Sequence, residues 1–288
     1  MSEYLSQFMA VPHLAYNWMV VVYFFVGGLS AGAYLFSVAG EFWLTDCKPF
    51  SRRAACLAPL VLIPGLLLLI LDLGMLTRFF YLGIYFNPTS PVSWGGILLG
   101  VFMAVSVAHA FVLWRGGAGQ IWAGRLAYLG VPCAFWIAAY TGILLYRAPG
   151  IVLWHNAMLP VLFLVGGLIS ALATTPLISL NHQRKDLLIR MGRLVAVLVA
   201  FKLMLVLAEI FMLAGGGDKG VGAARALLTG EFSGIFWGAQ ILGGSLVPIA
   251  ILATGKGGPV LQGVAALLML ISVYAMRHLV VIGGQIIG

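Results

Sequence analysis

The chain has 288 residues, 62% of them apolar and 8% charged, and its mean hydropathy is +1.07. Soluble domains carry about 25% charged residues, so this composition excludes a water-soluble fold and specifies an integral membrane protein. The net charge of +8 contains no basic run longer than two, which excludes a nucleic-acid partner and suits the anionic headgroups of a lipid bilayer.

From the N-terminus, Met1 to Trp18 carries Glu3 and no Lys or Arg. A secretory signal needs a basic start, so the first apolar run is expected to be a retained helix, although Ser30-Ala31-Gly32-Ala33 mimics a cleavage site. A helix needs about 20 apolar residues to cross the bilayer core. Such runs lie at 15–40, 54–78, 91–115, 122–147, 154–180, 191–215, 232–254 and 258–283. They predict an all-α, polytopic membrane bundle of eight transmembrane helices, because backbone polar groups in lipid must be satisfied within the chain. An even number of crossings puts both termini on one side. With that side non-cytoplasmic, the inner loops hold ten Lys and Arg and the outer loops and ends four, as the positive-inside rule requires.

The stretch from Phe79 to Val92 is read as the longest outer connection. Pro88 and Pro91 stiffen it, and Ser93 is placed to cap the third span. Many of the 37 glycines occur as pairs within spans: Gly27-Gly28, Gly95-Gly96, Gly166-Gly167 and Gly243-Gly244. These are read as points of close helix packing. Phe25-Val26-Gly27-Gly28-Leu29 in span one is echoed by Val165-Gly166-Gly167-Leu168 in span five, as a four-plus-four duplication would produce.

The three cysteines, Cys47, Cys56 and Cys133, form no CxxC pair, so iron–sulfur, zinc and covalent haem sites are not expected in this chain. His13, His109, His155 and His278 fall at different depths, so a bis-histidine haem is not expected either. Metal carriers, if electrons pass, belong to a partner.

Ionisable residues within spans are costly and therefore functional candidates. Glu41 ends span one and is expected to snorkel into the interface. Asp72 and Arg78 are six residues apart near the outer end of span two, on different faces. Asp72 is read either as a proton-relay acid beside a quinone or as half of a buried ion pair, for instance with Arg277. Lys202 and Glu209 share one stripe of span six, two turns apart. With His109 and Arg277 they are the candidates for a proton path. In the outer third, Tyr85, Trp94, Tyr146 and Trp154 fit an aromatic belt. Asp72 and Tyr140 do not. An apolar slot with a few hydrogen-bonding groups and a titratable one is what a quinone requires.

Five stretches resemble the NrfD/polysulfide reductase membrane-subunit family. They are Gly27-Gly28-Leu29-Ser30-Ala31-Gly32, then Leu71-Asp72-Leu73-Gly74 with Arg78-Phe79, and Phe86-Asn87-Pro88-Thr89-Ser90-Pro91 through Ser93-Trp94-Gly95. Tyr140-Thr141-Gly142 with Trp154, Asn156 and Leu159-Pro160 follows, and Arg277 to Gly283-Gly284-Gln285 closes the chain. The resemblance implies a quinone-interacting anchor of a respiratory complex in a prokaryotic cytoplasmic membrane. The implied cofactor is menaquinone or ubiquinone, with no haem or metal in this chain. The implied partners are a ferredoxin-like subunit with 4Fe-4S clusters, docked on the non-cytoplasmic face, and a molybdopterin or other catalytic subunit. It makes residues 1–288 a single membrane domain, with spans one to four (about 15–147) as the quinone-binding bundle and spans five to eight (about 154–283) as a second one. It assigns Tyr140 to the quinone and Asp72, with Arg78, to proton traffic. The family's first-helix Asn and His positions, aligned through Gly28-Leu29, read Val20 and Tyr23 here. Asn17, one turn outward, and Tyr23 stand in as candidate contacts, and Asn87, Trp154 and Asn156 complete the expected set. The alternatives are a secondary transporter and a purely structural anchor.

Overall fold

The computed structural model describes residues 16–72, 87, 89–116, 120–148, 150–178, 185–254 and 258–287. Among these every regular element is helical. The helices are α1 (Trp18–Phe42), α2 (Lys48–Asp72), α3 (Pro91–Arg115), α4 (Gln120–Tyr146), α5 (Leu159–Ile178), α6 (Lys185–Ala214) and α7 (Gly217–Leu228). Then come α8, a π-helical stretch Ile235–Leu246 running into Val247–Thr254, and α9, Pro259–His278 extended by a π segment Leu279–Gly283 and Gly284–Ile287.

Seven helices are long and apolar enough to cross a membrane; α5 is not among them, with a shorter apolar stretch, Leu159–Thr174. Their outward faces carry large apolar side chains, such as Tyr128 at 86% and Trp114 at 81% exposure. In water such surfaces would aggregate; in a bilayer they are solvated by lipid tails. Prolines inside α2 (Pro59, Pro64) and α4 (Pro132) do not end the helices, as membrane helices tolerate.

Helices α1 to α4 close a ring, each packing on the next and α4 on α1. A second ring is formed by α5, α6, α8 and α9. The rings join where α1 meets α5, with α4 and α9 packed alongside. That crossing explains the paired glycines. A Cβ on Gly32 would overlap the Gly167 carbonyl, and one on Gly167 would lie 2.6 Å from the Gly28 oxygen. The two echoing glycine motifs therefore face each other across the seam between the rings. Small residues let backbones approach this closely, and dispersion replaces the hydrophobic drive absent in lipid.

The connection after α6 is an element that hydropathy did not reveal. Residues 215–232 hold the amphipathic helix α7, whose buried face is Gly220, Ala223, Ala224 and Leu227. It is too polar to read as a span and too short to register in a 20-residue window. It, rather than the stretch from Phe79, also makes the longer interval between the expected spans.

The start of α1 and the end of α9 are tied together. Gln285 accepts from the Tyr16 N–H at 3.0 Å and donates to the Tyr16 carbonyl at 2.9 Å. Glu41, expected at the interface, is instead buried, with Ser51 Oγ at 3.5 Å and Lys48 Nζ at 3.9 Å. The short turn Thr45–Cys47 folds α2 back so that Lys48 and Ser51 cover the carboxylate. The cap of α3 is Ser90, with Pro91 in the first turn; Ser93 lies buried in that turn and accepts from the Asn87 N–H at 3.4 Å.

Candidate functional site

The end of the first ring at which α1 begins gathers a set of phenols and one carboxyl. Tyr23 lies on the buried face of α1, its ring 3.7 Å from where a Cβ on Gly65 of α2 would stand. Tyr140 of α4 lays its phenol over Gly95 in the first turns of α3, in space that a Cβ there would fill. The glycine of the Ser93-Trp94-Gly95 motif is thus what lets the tyrosine in. Tyr23 and Tyr140 lie within electrostatic reach of each other, and Tyr140 is likewise within reach of Tyr16. Tyr16, just before α1, faces Asp72 at the end of α2. Burial, and then the Asp72 carboxylate, hold its phenol above the ordinary tyrosine value. A raised phenol stays protonated and keeps its donor.

Tyr16 was missed by sequence reasoning, which took Asn17 instead. Asn17 caps α1, its side-chain oxygen accepting from the Met19 N–H at 2.8 Å. An Asn one residue before a long apolar helix is an N-cap signal, and recognising it would have freed the role for a neighbour. Asn87 is exposed, and its side-chain oxygen accepts from the Thr89 N–H at 3.0 Å and the Thr89 hydroxyl at 2.8 Å. Arg78 and Tyr85 lie outside the described residues. Trp94 and Tyr146 are exposed, as belt residues are, but Trp154 is 2% exposed. Its indole N–H donates to the Val280 carbonyl at 2.7 Å, and its ring stacks obliquely on Tyr16 at 5.7 Å. It braces the C-terminal π segment beneath Tyr16.

Arg277 is not the partner of Asp72. It is fully buried at the seam, donating to the Phe163 carbonyl at 3.1 Å and lying 4.9 Å over the Phe163 ring. Its guanidinium occupies the space beside Gly28. His109 is also fully buried, but in the first ring, its ring 5.0 Å from Tyr34 and turned toward Ala123 of α4.

The second ring holds Glu209 and Lys202 of α6, both buried. Asn156 turns its amide toward Glu209 while its side-chain oxygen accepts from the Met158 N–H at 2.9 Å. Lys202 Nζ donates to Ser272 Oγ of α9 at 2.7 Å, and Ser272 Oγ in turn donates to the Gln240 carbonyl of α8 at 3.3 Å. Gln240 and Ser272 escaped notice: a serine inside a long apolar span is the signal that would have found Ser272, whereas Gln240 enters through its backbone carbonyl, which no residue type announces. His109 and Arg277, with their own neighbours elsewhere, stand apart from this pair. Among the described residues, no three His, Cys, Asp or Glu side chains cluster as metal ligands.

The architecture and the site thus define a multi-pass helical membrane protein with an acid-and-phenol cluster at one end of its first ring. The family described as Polysulphide reductase, NrfD matches residues 7–288, and the chain belongs to it. It is 28% identical to the C chain of the polysulfide reductase of Wolinella succinogenes, over 94% of this protein and 95% of that one. It is 30% identical to the Hdr-like menaquinol oxidoreductase integral membrane subunit of Archaeoglobus fulgidus, over 90% of this protein and 68% of that one. Against the C subunit of the selenate reductase of Mesobacillus selenatarsenatis the identity is 24%, over 98% and 76%.

Proposed function

We propose that the chain is the quinone-interacting membrane anchor of a respiratory oxidoreductase, passing electrons between the quinone pool and a docked iron–sulfur subunit. The observation that carries this reading is the convergence of Tyr16, Tyr23, Tyr140 and Asp72 where α1, α2 and α4 meet. Family membership supports it, and one relative is named as a menaquinol oxidoreductase membrane subunit. Menaquinone or ubiquinone, when bound, supplies two-electron, two-proton chemistry. Tyr140 and Tyr23 would hold it, their phenol O–H groups donating hydrogen bonds to its oxygens. Asp72, with Arg78, exchanges protons with the adjacent outer face. Gly95 keeps the Tyr140 phenol in position. Clusters held by a ferredoxin-like partner on that face would take up or supply the quinone's electrons, and a molybdopterin or other catalytic subunit would complete the complex.

The accompanying topology is eight spans in a prokaryotic cytoplasmic membrane, with Leu159–Ile178 as the fifth and both ends non-cytoplasmic. The bond between Tyr16 and Gln285 supports an even number of crossings, since it joins the start of α1 to the end of α9. The first ring then serves as the quinone bundle and the second as a separate one.

The test is purification of the tagged chain from its native host in mild detergent, with iron and molybdenum assays and an optical spectrum. The expected result is a copurified protein with broad iron–sulfur absorbance. A chain that emerges alone and without metal overturns the anchor reading.

A further inference from the structure

The second ring carries an acid that the quinone reading does not use. Glu209 is 6% exposed, and its Oε1 has no hydrogen-bond partner. The Asn156 amide nitrogen that faces it is also unpartnered. Beside Glu209 lies a cavity of about 10 Å³, lined by Leu153, Phe236, Gln240, Leu279 and Val280 among others. That is room for about one water, with Glu209 and Gln240 as the polar residues on its wall. Both π segments reach this cavity: Phe236 and Gln240 belong to that of α8, Leu279 and Val280 to that of α9. Wide turns of this kind are rare and concentrate at functional sites.

A larger pocket lies next to the cavity. An open pocket of about 620 Å³ lies between α7, the segment Val152–Trp154 and the end of α9. Leu153 lines both the pocket and the cavity and stands between them. The pocket opens on the same end of the bundle as Tyr16 and Asp72, but beside the second ring. Lys202 sits about 10 Å deeper on the same stripe of α6. It is buried, and among the described residues it pairs with no carboxylate.

We infer that Glu209 is a proton-binding site loaded by water from the outer pocket past Leu153, with Lys202, positioned by Ser272, setting its occupancy through space. A charge is worth far more in this low-dielectric setting than in water, so the two occupancies are coupled even without contact. No other titratable side chain lines the cavity. Lys219, Arg225 and Glu231 stand around the pocket. Of the titratable groups on neighbouring elements, His155 is held by the Ile151 carbonyl, Arg277 is turned to Phe163, and His278 stacks on Tyr274. This site is independent of the quinone reading, because it needs no partner and no quinone.

The test uses the full chain in lipid nanodiscs, with D2O as the probe and infrared spectroscopy as the readout. The wild-type minus Glu209→Gln difference is expected to contain a protonated-carboxyl band that titrates with pH and shifts within the mixing time in D2O. Leu153→Trp, which fills the passage, is expected to slow that shift about tenfold or more, since exchange then waits for a larger opening. If that variant does not fold, Ala226→Trp at the pocket wall serves the same purpose. Lys202→Met is expected to move the titration of the band by about one pH unit. No carboxyl band at any pH, or exchange indifferent to both blocking variants, overturns the site. A titration unmoved by Lys202→Met overturns the role of the lysine. None of these outcomes depends on quinol turnover, so the anchor reading stands or falls separately.

Discussion

The two rings handle polarity in opposite ways. The first gathers Tyr16, Tyr23, Tyr140 and Asp72 toward one end, where α1, α2 and α4 meet; Tyr34 and His109, packed together, and Glu41 at the far end of α1 are the exceptions. The second buries its charges along its length, at Lys202, Glu209 and, on the seam, Arg277. A shallow group exchanges with ligands and water directly and costs little to keep. A deep charge is costly in lipid and is retained only where something offsets it. The same contrast appears in the backbone, since both π segments are in the second ring. The first ring is built to present groups, the second to hold them.

That contrast can be broken outright at the seam. Gly32→Leu drives a side chain into the Gly167 carbonyl, where neither backbone can yield. The expected cost is ~3 kcal/mol or more, read as loss of the monodisperse chain in size-exclusion chromatography. Both rings should fail together, because α1 and α5 are their common wall.

Tyr140→Phe sharpens the comparison by touching the first ring alone. Loss of a positioned donor is expected to lower quinol-linked electron transfer about a hundredfold, with copurification of the partner unchanged. Unchanged turnover would favour a purely structural anchor. The Glu209 band in the infrared spectrum should be unaffected.

Trp154→Phe tests the brace between the rings. It leaves the buried Val280 carbonyl without its donor, at ~2 kcal/mol, and thermal unfolding should shift downward accordingly. A shift as small as that from a surface substitution would mean that the 2.7 Å bond is replaced by water. Smallest of all, Lys48→Met removes the partly exposed cation beside Glu41. Its expected cost is about 0.5 kcal/mol, because Ser51 still faces the carboxylate.

Seven long apolar helices were legible from hydropathy alone, as were the glycine pairs, because both follow from simple lipid physics. The amphipathic α7 was not, since its helical period is visible only if a short polar stretch is inspected for it. Tyr140 and Asp72 stood out as polar residues that a belt could not explain. Tyr16, Gln240 and Ser272 did not, because their importance comes from which helices happen to meet. Asn17 shows the converse: a residue type suited to a ligand also serves its own helix as its N-cap.

The clasp between Gln285 and Tyr16 has a consequence for biogenesis. The first helix enters the membrane long before the last is made, so its leading end waits unfastened through most of translation. Only when Gln285 emerges can the Tyr16 backbone be held in place beside Trp154. A product cut short before Gln285 would insert its early helices yet leave the Tyr16 backbone without these two bonds.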